Sequence, residues 1–234
     1  MRIKLNFSKS TELIPIQNQS LVNSYVHKCL GKSNKYHDAK NDYCISNLQG
    51  GKRNKANDTV SFEDGGYIIV SSLNPELVNT FLIGVMNNQN FIGGMKFVGV
   101  DHIEEQFIDG WNHFATLSPF IIKEYTSKEK YSFVKLTEPD FSKKVKDYLI
   151  NKISKIGNYD LTDFDVIVPN HAGHKVKPVL VKNTINKANQ CHISIKCSAE
   201  VAKLIYYNGL GQSTGSGFGT IYKTENKHIY RRQD

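Results

Sequence analysis

The stretch GLGQSTGSGFG, from Gly209 to Gly219, is the most informative part of this 234-residue chain, with five glycines among eleven residues. Glycine adopts positive φ without strain and lets a backbone approach a partner closely, so consecutive N–H groups of such a loop can point at phosphate oxygens. A purely structural turn between a helix and a strand is the alternative. We expect a phosphate-holding loop with contacts from Gly209, Gly211, Ser213, Thr214, Gly217 and Gly219.

Neither of the two common nucleotide-binding motifs fits this stretch. A P-loop follows a strand and ends in Gly-Lys-Ser/Thr, whereas this run has no such lysine and follows a predicted helix over residues 198–207. The Rossmann spacing G-x-G-x-x-G fails as well, because Thr214 stands where the third glycine belongs.

The apolar periodicity around the stretch predicts an α+β fold of two tandem ferredoxin-like modules, each β-α-β-β-α-β with an antiparallel sheet. In the first half, strands are predicted at 2–7, 43–48, 66–73 and 91–103, with helices after Pro15 and from Asn74-Pro75. In the second half, strands are predicted at 116–123, 164–169, 191–197 and 218–223, with helices at 139–156 and 198–207. We expect the modules to span residues 1–116 and 117–234.

Positive charge is concentrated at the two ends of the chain. Residues 1–60 carry ten Lys or Arg against four acids, residues 61–116 carry one against seven, and residues 170–234 carry ten against three. The formal net charge of +8 favours a polyanionic partner, and its uneven placement predicts a binding surface.

The cysteine and histidine pattern does not predict a metal site or any other cofactor. The four cysteines lack C-x-x-C spacing, and the eight histidines add no ligand set beside them. Four unpaired thiols suit a reducing cytoplasm, where we expect the protein. No stretch approaches the roughly 18 apolar residues of a membrane span, and the start MRIKLNF lacks the apolar region of a signal peptide.

In its context, the glycine stretch resembles the RNA-binding RAMP superfamily of CRISPR systems, and within it the endoribonucleases that process CRISPR precursor transcripts. GLGxxxxxGFG between a short helix and the last strand carries the strongest part of the likeness. Three looser stretches follow the family's order: IPIQNQSLVNSYVHKCLG at 14–31, YHDAKNDYCISNL at 36–48 and FATLSP at 114–119. The resemblance covers most of the chain and implies that CRISPR repeat RNA is the partner.

The resemblance also implies a metal-independent mechanism. The ribose 2′-hydroxyl of the RNA is the nucleophile, and the products carry a 2′,3′-cyclic phosphate and a 5′-hydroxyl. His37 matches the family's loop histidine, and His27, rather than Tyr25, matches its helix position. These two imidazoles supply a general base and a general acid in an order left open. Lys40 is our choice for the cation that stabilises the phosphorane, with Lys52 as a competitor.

A second basic cluster, HAGHKVK at 171–177, predicts a hairpin that faces the RNA backbone. Its H-x-x-H pair has no cysteine or acid nearby, so a metal is the less favoured interpretation. Outside the glycine stretch, the expected RNA-binding residues are Lys52, His174, Lys175, Lys177 and Lys182.

Two other functions remain open at this stage. One is a RAMP subunit that holds guide RNA in a CRISPR effector complex without cutting it, and the other is an ordinary RNA-binding domain of translation or ribosome assembly. The glycine stretch does not separate the first from an enzyme, whereas His27 and His37 favour the enzyme. Other effector subunits and a second copy of the chain are further partners that the resemblance allows.

Overall fold

A computed structural model describes residues 1–31, 43–127, 130–181 and 183–225. Two four-stranded antiparallel sheets each carry two helices, which confirms the predicted α+β class. The first module contains β1 (Arg2–Phe7), α1 (Gln19–Leu30), β2 (Tyr43–Ile45), β3 (Gly66–Ser72), α2 (Pro75–Asn87) and β4 (Phe97–His102). The second contains β5 (Gly110–Thr116), α3 (Phe141–Ser154), β6 (Asp165–Ile167), β7 (His192–Cys197), α4 (Ala199–Asn208) and β8 (Ile221–Lys223).

Both sheets have the same topology. The strand order is β2-β3-β1-β4 in the first module and β6-β7-β5-β8 in the second. In each, the first and third strands lie at the centre and the helices cross on one face, which is the ferredoxin-like arrangement. The two hydrophobic cores lie between each sheet and its own helix pair.

The second module begins earlier in the chain than the sequence pattern suggests. Its first strand is β5, which pairs with β7 through Phe114 and Ile193 and with β8 through Thr116 and Ile221. The predicted strand at 116–123 is therefore wrong, because Pro119 interrupts it and Phe120 and Ile121 form only isolated bridges. The chain changes sheet between residues 102 and 110, ahead of the expected boundary at 116.

The last strand of the first module also differs from its prediction. β4 begins at Phe97 and not at residue 91, since Gly93 and Gly94 have positive φ and form a 3₁₀ turn, Ile92–Gly94, before it. The other predicted elements of the two sheets are present with small differences at their ends.

Three smaller sheets complete the described structure, and one of them pairs Lys123–Tyr125 with Tyr131–Phe133. The predicted hairpin exists as antiparallel strands Lys175–Val181 and Thr184–Gln190, here called the basic hairpin. A three-stranded sheet of Ile14–Pro15, Thr59–Ser61 and Lys52–Asn54 adjoins the start of α1. None of the described helices is both long and apolar enough to span a membrane.

Buried polar contacts join the two modules. The Arg2 side chain is 1% exposed, donates to the backbone oxygens of Tyr206 and Ile221, and lies 4.0 Å from the centre of the Tyr206 ring. The Ser71 hydroxyl donates to the Tyr207 oxygen at 2.8 Å, so α4 of the second module is held against the sheet of the first.

Candidate nucleic-acid interface

The glycine loop, residues Gly209–Gly219, is built from glycine because its backbone passes very close to other atoms. Gly209, Gly211, Gly217 and Gly219 all have positive φ, a conformation that L side chains adopt only with strain. A Cβ atom at Gly219 would overlap the Leu210 carbonyl oxygen, and one at Gly217 would overlap the Gln19 amide. Gly217 is therefore needed for packing against α1 of the first module, and Gly219 is needed for packing within the loop itself.

Most polar groups of the glycine loop are used inside the protein. Gly209, Gly217 and Gly219 donate their N–H groups to the carbonyl oxygens of Ile205, Thr214 and Pro119, at 2.8, 3.3 and 3.1 Å. The buried Thr214 hydroxyl donates to the Tyr43 oxygen at 2.9 Å. The expectation that these N–H groups face phosphate is therefore wrong, since buried backbone donors find partners within the fold. The partly exposed residues of the loop are Gln212, Ser213 and Ser216.

One side of helix α1 lies against the glycine loop. The Gln19 amide donates to Asn23 at 2.9 Å, and the Asn23 amide donates to the Ser216 oxygen at 3.3 Å. His27 follows Asn23 by four residues, which places it one turn further along the same side of the helix. Its side chain is half-buried.

Tyr25, the other candidate on this helix, points into the first module. Its ring packs edge-on against Phe7 and Phe91, and its hydroxyl donates to the Asn88 oxygen at 3.0 Å. Burial raises the pKa of Tyr25 far above its usual value. Tyr25 is therefore a core residue, and His27 is the one that α1 presents outside the core.

The basic hairpin reaches both the glycine loop and α1. Val179 and Val181 pack on a cluster that contains Phe218 of the loop, and Cα atoms of the first strand come within 8 Å of α1. Alternate residues of a strand share a face, so Lys175 and Lys177 continue the row of Val179 and Val181. Burial lowers the pKa of Lys177, and the positive charge of the neighbouring Lys175 lowers it further. The hairpin thus carries two ammonium groups along the face that it turns to the loop.

His174 has a structural role at the base of the hairpin. Its Nε2 accepts from the His192 backbone N–H at 2.9 Å, which requires a neutral ring. Burial is the main cause that lowers the pKa of His174 to about 4, and electrostatic interactions with His171 and His192 contribute as well. The three rings lie 5.3 to 5.7 Å apart, yet no group of three metal-ligating side chains in the described parts of the chain is arranged to hold an ion. His174 is therefore not a cationic phosphate contact near neutral pH.

Lys52 lies in the small sheet beside the start of α1 and is paired with acids. Its Nζ is 2.9 Å from Glu63 and 3.4 Å from Asp64, and these partners, Glu63 foremost, raise the pKa of Lys52. Three other predicted residues, His37, Lys40 and Lys182, lie outside the described residues.

Lys152 is a candidate functional residue that was not predicted from the sequence. Lys152 of α3 is half-buried behind the glycine loop and donates to the backbone oxygens of Asn208, Gly209 and Gly211 at 3.3, 2.8 and 3.2 Å. Burial lowers the pKa of Lys152 to about 8. Its position beside Leu149 and Ile153 on the apolar side of the helix is the signal in the sequence that could have singled it out.

The chain is similar to CRISPR-associated proteins in sequence and in fold. Residues 103–222 match the family described as CRISPR associated protein Cas6, C-terminal. A structure described as "Characterization of a Cas6-related gene from Pyrococcus furiosus" is 19% identical with a TM-score of 0.83, over 97% of this chain and 99% of that one. No curated protein matches the sequence.

Two further solved structures share the fold. One, described as "An RAMP protein binding different RNA substrates", is 18% identical with a TM-score of 0.83, over 96% of this chain and 100% of that one. The other, a Cas6 product complex, is 11% identical with a TM-score of 0.70, over 95% of this chain and 99% of that one. At these identities the likeness concerns the fold, and it confirms the ferredoxin-like assignment.

Proposed function

The chain belongs to the Cas6 family of CRISPR-associated proteins, whose C-terminal region matches just over half of it, and from that premise we propose that it is a metal-independent endoribonuclease that cuts CRISPR repeat RNA. Members of the family are endoribonucleases, so a role in processing or binding CRISPR RNA follows from membership. The cleavage chemistry and the residues named below are the proposal.

The observation that carries the proposal is the position of α1 between two elements of the second module. The glycine loop contacts Gln19 and Asn23, the basic hairpin approaches from the other module, and half-buried His27 follows on the loop side of the helix. A histidine on a helix that a lysine-bearing hairpin approaches suits acid–base chemistry on a phosphodiester, because the lysines attract the backbone and imidazole exchanges protons near neutral pH.

In the proposed reaction the ribose 2′-oxygen attacks the adjacent phosphorus, and the bond from phosphorus to the 5′-oxygen breaks. A base removes the proton of the 2′-hydroxyl, and an acid protonates the departing 5′-oxygen. His27 and His37 take these two roles, and a lysine stabilises the charge of the phosphorane. The RNA keeps a 2′,3′-cyclic phosphate on one fragment and a 5′-hydroxyl on the other.

For the lysine we propose Lys40 over Lys52. The Lys52 ammonium is exposed and faces two carboxylates, Glu63 and Asp64, which compete with a phosphate for it and repel the RNA backbone. For RNA binding we propose Lys175 and Lys177 of the basic hairpin and Ser213 of the glycine loop, together with Lys182, which lies outside the described residues.

Cleavage of labelled repeat RNA in excess EDTA tests the proposal. The wild-type protein should cut at one site, and His27→Ala and His37→Ala should each slow cleavage by at least about 100-fold, the usual contribution of a general acid or base. A 2′-deoxy substitution at the cut site should block cleavage and leave binding unchanged.

Two matched variants control this assay. Tyr25→Phe changes the buried tyrosine of the same helix, and His102→Ala removes an exposed histidine of the first sheet, and both should cut at the wild-type rate. Tight binding with intact RNA in every lane would favour the non-catalytic RAMP subunit instead. Cleavage of the 2′-deoxy substrate would contradict the mechanism, and so would the loss of wild-type cleavage in EDTA.

A further inference from the structure

The small sheet of Lys123–Tyr125 and Tyr131–Phe133, here called the aromatic ribbon, lies between β5 and α3 in the chain. Its strands pair antiparallel, with Tyr125 opposite Tyr131 and Lys123 opposite Phe133. Directly opposed residues of two strands point to the same side of a sheet, and so do alternate residues along one strand. Three aromatic rings and one lysine therefore share a face, here called the aromatic face.

The aromatic face is on the side of the ribbon away from α3. Glu124 is on the opposite side, and its carboxylate accepts a hydrogen bond from the Lys144 ammonium of α3 at 3.2 Å. Tyr125 is 58% exposed and Tyr131 is 37% exposed, and their ring centres are 5.5 Å apart. The two rings thus form one exposed surface, and such surfaces mark binding sites more often than single exposed side chains do.

The charge of the aromatic face is positive. The Lys123 ammonium lies 4.1 Å from the centre of the Tyr131 ring and 5.7 Å from that of Phe133. Glu124 is the one acid in the described part of residues 123–133, and it is held on the opposite side. Exposed rings beside a lysine are the combination with which proteins hold single-stranded nucleic acid, because bases stack on the rings and the ammonium attracts a phosphate.

The aromatic ribbon adjoins the elements assigned to RNA binding. Phe133 packs on the cluster that contains Phe218 of the glycine loop and Val179 of the basic hairpin. Cα atoms of the second ribbon strand also come within 8 Å of the second hairpin strand. From this cluster the aromatic face continues to Tyr131, and the hairpin face continues to Lys177. An RNA strand held by the hairpin lysines is therefore close to the ribbon.

We infer that the aromatic ribbon binds an unpaired segment of the RNA, with one base stacked on the Tyr125 ring and an adjoining phosphate at Lys123. The inference rests on the proposed function for its choice of RNA as the ligand. Every base has a π-face, so stacking of this kind holds a single strand without reading its sequence. A nucleic acid fits the ribbon better than a protein partner does, because the neighbouring lysines and the net charge of +8 favour a polyanion.

Binding of two fluorescent strands to the whole protein, followed by anisotropy at low salt, tests this site. One strand is an RNA hexamer of adenosine, and the other consists of six abasic units, so it keeps the phosphates and has no base to stack. The wild-type protein should bind the adenosine hexamer at least about tenfold more tightly than the abasic strand, the fold-change that stacking of one base produces.

Two substitutions at one position separate stacking from simple apolar contact. Tyr125→Leu keeps an apolar side chain without a ring and should reduce the preference for the adenosine hexamer at least about fivefold. Tyr125→Phe is the matched control, since it keeps the ring and should leave the preference within about twofold of the wild type. Lys123→Ala should weaken both strands by a similar factor, because a phosphate contact does not depend on the base.

Three results would overturn the inference. They are equal binding of the two strands by the wild-type protein, no measurable binding of the hexamer, and a wild-type preference that survives in Tyr125→Leu. Tyr125 is exposed, so both variants should fold, and thermal unfolding of each checks this.

These outcomes are separable from those of the proposed function. The hexamer assay requires no cleavage, so a preference that depends on Tyr125 stands even if the repeat RNA is never cut. Normal cleavage of repeat RNA together with a preference unaffected by Tyr125→Leu would reject the ribbon site and leave the proposed enzyme intact.

Discussion

The glycines of the loop differ from other glycines of the chain in what a methyl group would meet. Gly219 combines φ of +74° with an overlap at the Leu210 oxygen, whereas Gly110 has φ of +106° and open space, and Gly99 has ordinary φ and open space. Backbone strain and steric overlap are thus separable within one protein.

We expect the three Gly→Ala substitutions to form a graded series. Gly219→Ala should lower the free energy of unfolding by at least about 3 kcal/mol, since strain and overpacking add. Gly110→Ala should lower it by about 1–2 kcal/mol from strain alone, and Gly99→Ala should change it by less than about 0.5 kcal/mol. Urea unfolding of the three variants measures the series, and equal effects at Gly219 and Gly110 would refute the role of close packing.

The lowered pKa of the half-buried Lys152 leads to a second prediction, which concerns the dependence of stability on pH. Its pKa is about 8 in the folded protein and 10.5 for a lysine in an unfolded chain, so between these values the unfolded chain binds more protons and the free energy of unfolding rises with pH. Below pH 8 both states are protonated and this contribution is constant. The stability of the wild type relative to Lys152→Met should therefore increase from pH 7.5 to pH 9.5.

The same comparison with Lys143→Met, an exposed lysine of the same helix, should show no such trend. Taking differences between variants cancels the titration of tyrosines and cysteines common to both proteins. A relative stability of Lys152→Met that stays flat over this range would mean that Lys152 titrates normally.

Single residues were predictable where a pattern or a resemblance singled them out. His27 is half-buried and Tyr25 is buried, which is compatible with the choice of His27 over Tyr25, and the catalytic role of His27 stays a prediction. Lys152 was recognisable only as a lysine on the apolar side of α3, and its partners were not predictable, because they are backbone oxygens, which every sequence has. The use of the loop N–H groups could not be predicted for the same reason, since their acceptors Ile205 and Pro119 are carbonyls chosen by tertiary packing.

The basic hairpin offers a test as a complete element. Lys175 and Lys177 lie on the face that contacts the glycine loop, whereas Lys187 is exposed on the opposite face, as its pairing with Pro178 shows. Each lost phosphate contact lowers the slope of log K against log salt by about 0.7 for single strands and 0.9 for duplex.

The double variant Lys175→Ala/Lys177→Ala should therefore reduce the slope for repeat RNA by about 1.4 to 1.8. Lys187→Ala removes the same kind of charge from the other face and should leave the slope unchanged. Affinities for repeat RNA measured between 50 and 300 mM KCl give the slopes. A similar decrease in slope for the double variant and for Lys187→Ala would mean that the RNA does not prefer the face with Lys175 and Lys177.

Elements with a clear period were found from the sequence, and elements that depend on distant partners were not. Helix α2 begins at its Asn74 cap and the adjoining Pro75, as predicted. Strand β5 looks like a connecting segment in the sequence. Its half-buried Trp111 and His113 alternate with buried residues, and the burial of those residues depends on pairing with β7 and β8. The 3₁₀ turn before β4 has an apolar sequence that looks like a strand until its glycines adopt positive φ.

For the molecule as a whole, the buried contacts of Arg2 predict that the modules unfold together. Urea unfolding followed by fluorescence of Trp111, the chain's one tryptophan, in the second module, should give the same midpoint as far-UV circular dichroism of the whole chain. Arg2→Leu should lower both midpoints, with a loss of about 3 kcal/mol for two hydrogen bonds from a charged donor.

Lys4→Leu is the control, because Lys4 is two residues further on the same strand face and is partly exposed beside Asp101. It should leave both curves almost unchanged. If the urea midpoint followed by Trp111 fluorescence is unchanged in Arg2→Leu, the modules unfold independently. The role of Arg2 in joining the modules was not predicted from sequence, since a buried arginine that bonds to carbonyl oxygens has no acidic partner to reveal it.

The early start of the second sheet has a practical consequence for dividing the polypeptide. Residues 103–109 are the covalent link between the two sheets, and Glu104 and Glu105 within it are exposed. Two separately translated fragments, 1–104 and 105–234, would each retain all four strands of a sheet, so we expect them to reassemble into an active heterodimer when co-expressed. Division after residue 116 would leave β5 on the first fragment, separated from the other three strands of its sheet. Co-purification on a tag carried by one fragment, followed by the repeat RNA assay, should distinguish the two division points.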